Sequence, residues 1–118
     1  PHIKSQRKHL HQEMLANDAV ENSRTASVLV TNPTHLAIAL RYEEGETPLP
    51  IVTGKGEGAL AQRMIDAARE AGVPVMQNIP LAHSLFDDAP LDQYIPSDLV
   101  EPVAAVLRLV RELSDQQS

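Results

Sequence analysis

Ser27-Val28-Leu29-Val30-Thr31-Asn32-Pro33-Thr34-His35-Leu36-Ala37-Ile38-Ala39-Leu40 is the stretch from which the fold can be read. Its two apolar runs have the length and the Val/Ile/Leu content of strands, and Asn-Pro between them is a turn signal. The spacing predicts adjacent strands at about 27–31 and 36–42.

Downstream, a polar turn at 43–46 and the prolines Pro48 and Pro50 lead to a short strand at 51–53. Gly54-Lys55-Gly56-Glu57-Gly58 then opens a helix over about 58–71, with Leu60, Ala61, Met64, Ile65 and Ala68 on one face. Gly72 is placed to cap it and Pro74 to stop it. A strand at 73–77, a short helix over 78–86 and a last helix to about 113 follow. Pro102 either occupies the first helical position of that last helix or distorts its first turn. Two adjacent strands followed by alternating helices and strands predict an α/β layer fold, with a small mixed sheet of about four strands packed with helices.

Upstream, residues 1–24 are a different kind of sequence. They carry four Lys/Arg against three acids, plus His2, His9 and His11, whereas the remainder has a net charge of −7. Lys4 to Asn17 has helical propensity but a thin apolar stripe, so an exposed N-terminal linker helix or extension is expected. The 118 residues suit one domain, with 25–118 as its body. Aromatics are 3% of the chain, so the core must be aliphatic. Without cysteine there is no disulfide and no thiolate site. A net charge of −6 argues against nucleic acid as a partner. The longest apolar runs are about five residues, against the roughly 20 that a bilayer span needs. The start at Pro1 points to a fragment of something longer.

Several constellations invite chemistry. Gly54, Gly56 and Ala59 fit a dinucleotide-binding fingerprint, but Glu57 would face the pyrophosphate and Gln77-Asn78 supplies no acid for the ribose. A Gly-rich strand-to-helix turn is the simpler expectation. His9 and Glu13 have helical i, i+4 spacing, yet no further ligands accompany them, so no metal is expected. His83 reads as a surface residue, and Ser84 lacks a nucleophile elbow. No cofactor is indicated.

Asn32-Pro33 remains, and its chemistry is specific. The usual attack on an Asn side chain by the next backbone nitrogen is closed, because Pro33 has no N–H. What is left is attack by the Asn32 side-chain nitrogen on its own main-chain carbonyl, forming a succinimide and expelling Pro33 as a new amino terminus. Backbone strain of ~1–3 kcal/mol would supply roughly 5- to 150-fold. Acid–base assistance supplies about 10²–10⁴, and positioning within one residue can exceed both. Asn32 and Pro33 are therefore the candidate cleavage site. His35 is the candidate aid to proton movement and Thr34 the candidate turn support. The alternative is an inert turn in a structural interaction domain or a nucleotide-binding domain.

The tetrapeptide Asn32-Pro33-Thr34-His35 in this setting resembles the self-cleavage site of the FlhB/YscU family, the export-switch proteins of type III secretion. The likeness runs through 28–39, Gly72-Val73-Pro74-Val75, Ile79-Pro80-Leu81-Ala82, Tyr94-Ile95-Pro96 and Val103-Ala104-Ala105-Val106-Leu107. Gly45 to Pro50 and Glu101 to Ala104 look more like the injectisome branch than the flagellar one. One departure is His83, where the family usually carries Arg; a neutral His offers fewer donors and is not a permanent cation. The resemblance implies a domain on the cytoplasmic face of the bacterial inner membrane, with 1–24 linking it to its own transmembrane domain. It further implies one intramolecular cleavage rather than enzymatic turnover, with the two fragments staying associated and export substrates being switched. The implied partners are other export-apparatus components, a needle-length regulator and secreted substrates.

Overall fold

The computed structural model describes residues 15–33 and 35–117. Helix α1 is present at 15–24 and is followed by β1 (Val28–Asn32), β2 (Leu36–Arg41) and β3 (Ile51–Glu57). Then come α2 (Ala59–Glu70), β4 (Val75–Gln77), α3 (Ile79–Asp88), a 3-10 turn (Ser97–Leu99) and α4 (Val100–Gln117). The chain enters α4 through the 3-10 turn, so Pro102 falls in the first helical turn. There, backbone N–H groups lack an intrahelical acceptor in any case, and its missing donor costs little.

The strands form one sheet in the order β3-β2-β1-β4. β1 is antiparallel to β2 and parallel to β4, and β2 is antiparallel to β3. The expected mixed four-stranded sheet with helices is therefore present. Strand alternation sends Val28, Val30, Leu36, Ile38, Leu40 and Val52 to one face, where α3, the 3-10 turn and α4 bring Leu81, Leu85, Leu99, Val103 and Val106. Leu29, Ala37 and Ala39 face the other way, against Ala61, Met64, Ile65 and Ala68 of α2 and Ala19 of α1.

Two expectations change. The first concerns the glycine run, which is not a turn: β3 continues through Gly54-Lys55-Gly56-Glu57, and only Gly58, at φ +60°, turns the chain into α2. The glycines serve close packing. A Cβ on Gly54 would lie 3.2 Å from the Ala19 Cα, and one on Gly56 would lie 2.6 Å from Met64 Sδ and 2.8 Å from Leu60 Cγ. The second concerns α1, which docks although its apolar stripe is thin. Small side chains suffice where the opposing strand is glycine: Ala19 and Ser23 are buried, Ser23 Oγ donates to the Ala19 carbonyl, and Asn22 Nδ2 donates to the Thr53 carbonyl at 2.7 Å. His2, His9, His11 and Glu13 lie outside the described residues.

Gly56→Ala tests this packing. Relief of glycine's strand penalty favours the variant by roughly 0.5–1 kcal/mol, whereas overpacking costs about 1–3 kcal/mol. Urea denaturation should therefore show a net loss of stability. Adding Met64→Ala should shrink the effect of the Gly56 substitution, because the two side chains would share one space.

Candidate functional site

β1 ends at Asn32, which pairs with Leu36 across the hairpin. The His35 backbone N–H donates to the Asn32 carbonyl at 2.9 Å and closes the turn. The His35 carbonyl in turn accepts from the Gly58 N–H at 3.0 Å, tying the turn to the corner between β3 and α2. Pro33 and the His35 side chain are exposed, and Asn32 is half-buried. Thr34 lies outside the described residues. The carbonyl that the Asn32 side chain would attack thus already holds one aligned backbone donor. A single donor of this kind, aimed at a developing oxyanion, is worth about 10²–10³ in rate.

The same alternation that buries Val28 and Val30 under α3 sends the Asn32 side chain to that face. Its Nδ2 lies 3.1 Å from Nε2 of His83. A primary amide nitrogen only donates, so this contact has Nε2 unprotonated and accepting. α3 is itself fixed to the end of β1. The Asn78 N–H donates to the Thr31 carbonyl at 3.0 Å, and Asn78 Oδ1 caps the helix by accepting from the Leu81 N–H at 3.2 Å. Pro80 sits in the first turn, where proline is tolerated. Sequence reading missed His83 because 51 residues separate it from Asn32. The only signal was its departure from the usual Arg.

The nucleotide reading loses its geometry. Gly54 and Gly56 are covered by α1 and α2, and no glycine loop opens toward a helix N-terminus except at Gly58. Lys55 points to the opposite face, where Nζ donates to the Phe86 carbonyl at 2.9 Å and lies 5.8 Å from the Phe86 ring centre. Burial pulls its pKa down, opposed by the charges of Asp87 and Asp88. Among the described residues, no cluster of three or more His, Cys, Asp or Glu could hold a metal.

Two grooves flank this core. One of 280 Å³ lies on the α2 side of the turn, against Pro33, Gln62, Ile65, Arg69 and Val75. The other, of 590 Å³, runs between the 42–50 segment and α4, lined by Tyr42, Pro48, Leu49, Pro50, Ala104 and Leu107. Arg111, in an ion pair with Glu44 at 2.9 Å, stands at it.

A mostly buried β1 ends in the Asn-Pro turn, and a capped helix lies against it. The FlhB HrpN YscU SpaS family profile matches residues 1–110, and the chain belongs to that family of type III secretion export proteins. Yop proteins translocation protein U of Yersinia pestis is 49% identical over 108 residues, covering 92% of this chain and 30% of the relative. The chain thus spans about a third of the length of such relatives. The solved EscU C-terminal domain with an Asn→Asp substitution superposes with a TM-score of 0.73 at 44% identity, covering 81% of this chain and 98% of that one. The cytoplasmic domain of FlhB from Shewanella putrefaciens gives 0.81 at 31% identity, covering 86% and 78%. EscU has also been solved with an Arg→Thr substitution; that Arg follows the substituted Asn by 51 residues, as His83 follows Asn32. None of the helices among the described residues is long and apolar enough to cross a membrane.

Asn78→Ala should cost about 0.5–2 kcal/mol through loss of the α3 cap. Asn78→Ser or Asn78→Asp should retain most of the stability, as read from urea midpoints.

Proposed function

We propose that this chain is the cytoplasmic domain of an inner-membrane export protein, and that it cuts itself once between Asn32 and Pro33. On this reading the cut lets the export gate change from early to late substrates. The observation that carries the proposal is the Asn32 carbonyl. It belongs to the residue that holds the nucleophile, it precedes a nitrogen without a proton, and it receives the His35 N–H at 2.9 Å. Asn32 Nδ2 attacks that carbon, the oxyanion forms against the His35 N–H, and the Pro33 nitrogen leaves as a secondary amine. The succinimide then opens by hydrolysis. The nucleophile is consumed, so the event is a single turnover. The His35 imidazole is a secondary aid to proton movement.

Continued association of the fragments follows from the sheet. β1 belongs to the upstream fragment and pairs with β2 and β4 of the downstream one. Val28, Leu29 and Val30 are each 0% exposed. Burial of such side chains is worth about 1.5–3 kcal/mol apiece, so the cut loop leaves a large interface in place. The groove between the 42–50 segment and α4 is the apolar surface suited to secreted substrates. Regulators and other apparatus components remain partners of the whole protein.

Denaturing mass spectrometry tests the reading: fragments 1–32 and 33–118 are expected from the wild type, and one intact chain from Asn32→Ala. A wild-type chain that stays intact on long incubation defeats it. His35→Ala should slow cleavage without abolishing it, because the backbone donor survives. Ala104→Glu would put a carboxylate into the substrate groove. In the full-length protein it should lower substrate secretion about tenfold, the effect of roughly 1.4 kcal/mol, with cleavage unchanged.

A further inference from the structure

Ring closure on Asn32 has a proton to dispose of. Nδ2 begins with two hydrogens and ends as an imide nitrogen with one. An amide nitrogen is a poor nucleophile until that proton begins to leave. The geometry gives it a destination, since the side-chain hydrogen bond of Asn32 runs from Nδ2 to His83 Nε2 at 3.1 Å. Backbone contacts hold α3 to the end of β1 through its cap residue Asn78, so the position of His83 against Asn32 is set by the sheet. The imidazole of His35 is exposed, as that of His83 is, but it sits on a turn whose ordered contacts are made by its backbone.

We propose that His83 is a catalytic residue of the self-cleavage, the acceptor of the Asn32 Nδ2 proton. This deepens the cleavage reading and rests on it. In the step, the Nδ2–C bond forms and one Nδ2 proton passes to His83 Nε2. The carbonyl oxygen takes up the electron pair against the His35 N–H. Collapse of that intermediate breaks the bond from carbon to the Pro33 nitrogen, which takes a proton from water. The imidazolium returns its proton to the hydroxide so formed, and no oxidant, metal or further reactant is needed. Arg in place of His83 would not do this: a guanidinium carries only donors and would engage Oδ1 of the amide.

The test follows cleavage of the 118-residue chain by denaturing mass spectrometry after dilution from denaturant. Wild type, Asn32→Ala, His83→Ala and His83→Arg are compared. His83 is exposed, so neither substitution empties the core; urea midpoints check this. General-base assistance contributes about 10²–10⁴. With water as a partial substitute at an exposed site, both His83 variants should cleave at least about tenfold more slowly than wild type. Added imidazole should restore the His83→Ala rate in proportion to its free-base concentration and leave wild type unchanged. The proposal is overturned by a His83→Ala rate within about threefold of wild type, by failure of imidazole to accelerate that variant, or by a wild-type rate in His83→Arg. A wild type as inert as Asn32→Ala is a different result: it removes the cleavage reading itself.

Discussion

The ladder that holds β1 between β2 and β4 is the constraint on which the rest depends. Strand side chains alternate with a period of two, so a slip of one residue would exchange Leu29 with Val30 and turn Asn32 from α3 toward α2. Such a slip is resisted on both faces. Val28 and Val30 fill the core under α3 and α4, while Leu29 fills the core under α1 and α2. The orientation of the Asn32 side chain is thus settled by hydrophobic burial up to four residues away. The hairpin pairing of Asn32 with Leu36 then leaves so short a connection that the His35 N–H meets the Asn32 carbonyl.

The two faces of the sheet are built differently, and this bears on how the upstream segment is held. The α3/α4 side is thick with Leu, Ile and Val. The α1/α2 side is thin: Ala37, Ala39, Gly54 and Gly56 let helices approach closely, with Ala19 of α1 almost touching the β3 backbone. Dispersion between closely packed small groups replaces bulk, which suits a chain with so few aromatics. α1 gains polar anchors as well, Asn22 to the Thr53 carbonyl and Arg24 to Glu70 at 3.2 Å. The second of these is exposed and worth little. α1 and β1 belong to the same side of the Asn32–Pro33 bond, so that piece is held at two places.

What was legible in the sequence was local. The hairpin, α2 and α4 announce themselves through periodicity and turn residues within a few positions, and the mixed sheet follows from their order. Three things were not legible because their causes lie elsewhere in the chain. Gly54-Lys55-Gly56 looks like a loop until Ala19 and Met64 are seen to need the missing side chains. Residues 15–24 look too polar to dock until their small residues meet those glycines. His83 is at the surface, as its sequence suggests, but its contact with Asn32 emerges only once α3 is laid across the end of β1. Among the candidate site residues, Asn32 and Pro33 were proposed from chemistry alone. For His35 the sequence suggested an imidazole, whereas the structure shows a backbone donor.

That last difference changes where sequence dependence should lie. A backbone N–H is supplied by any residue except proline, so the polarisation of the Asn32 carbonyl is indifferent to the side chain at position 35. It does depend on the length of the turn and on the Gly58 N–H that anchors it. On the proposed cleavage reading Asn32 is not replaceable in the same way, because only its side chain places a nitrogen to close a five-membered ring on its own carbonyl. Pro33 acts mainly by what it lacks, since without an N–H it can neither extend the ladder nor open the competing attack. On the proposed reading the site divides its needs: an Asn side chain, a nitrogen that carries no proton, a backbone donor delivered by the fold and the His83 acceptor on α3. β1 is paired on both sides up to Thr31, so its register is fixed, and the Asn32 carbonyl lies just beyond the β4 pairing, where the turn supplies its donor.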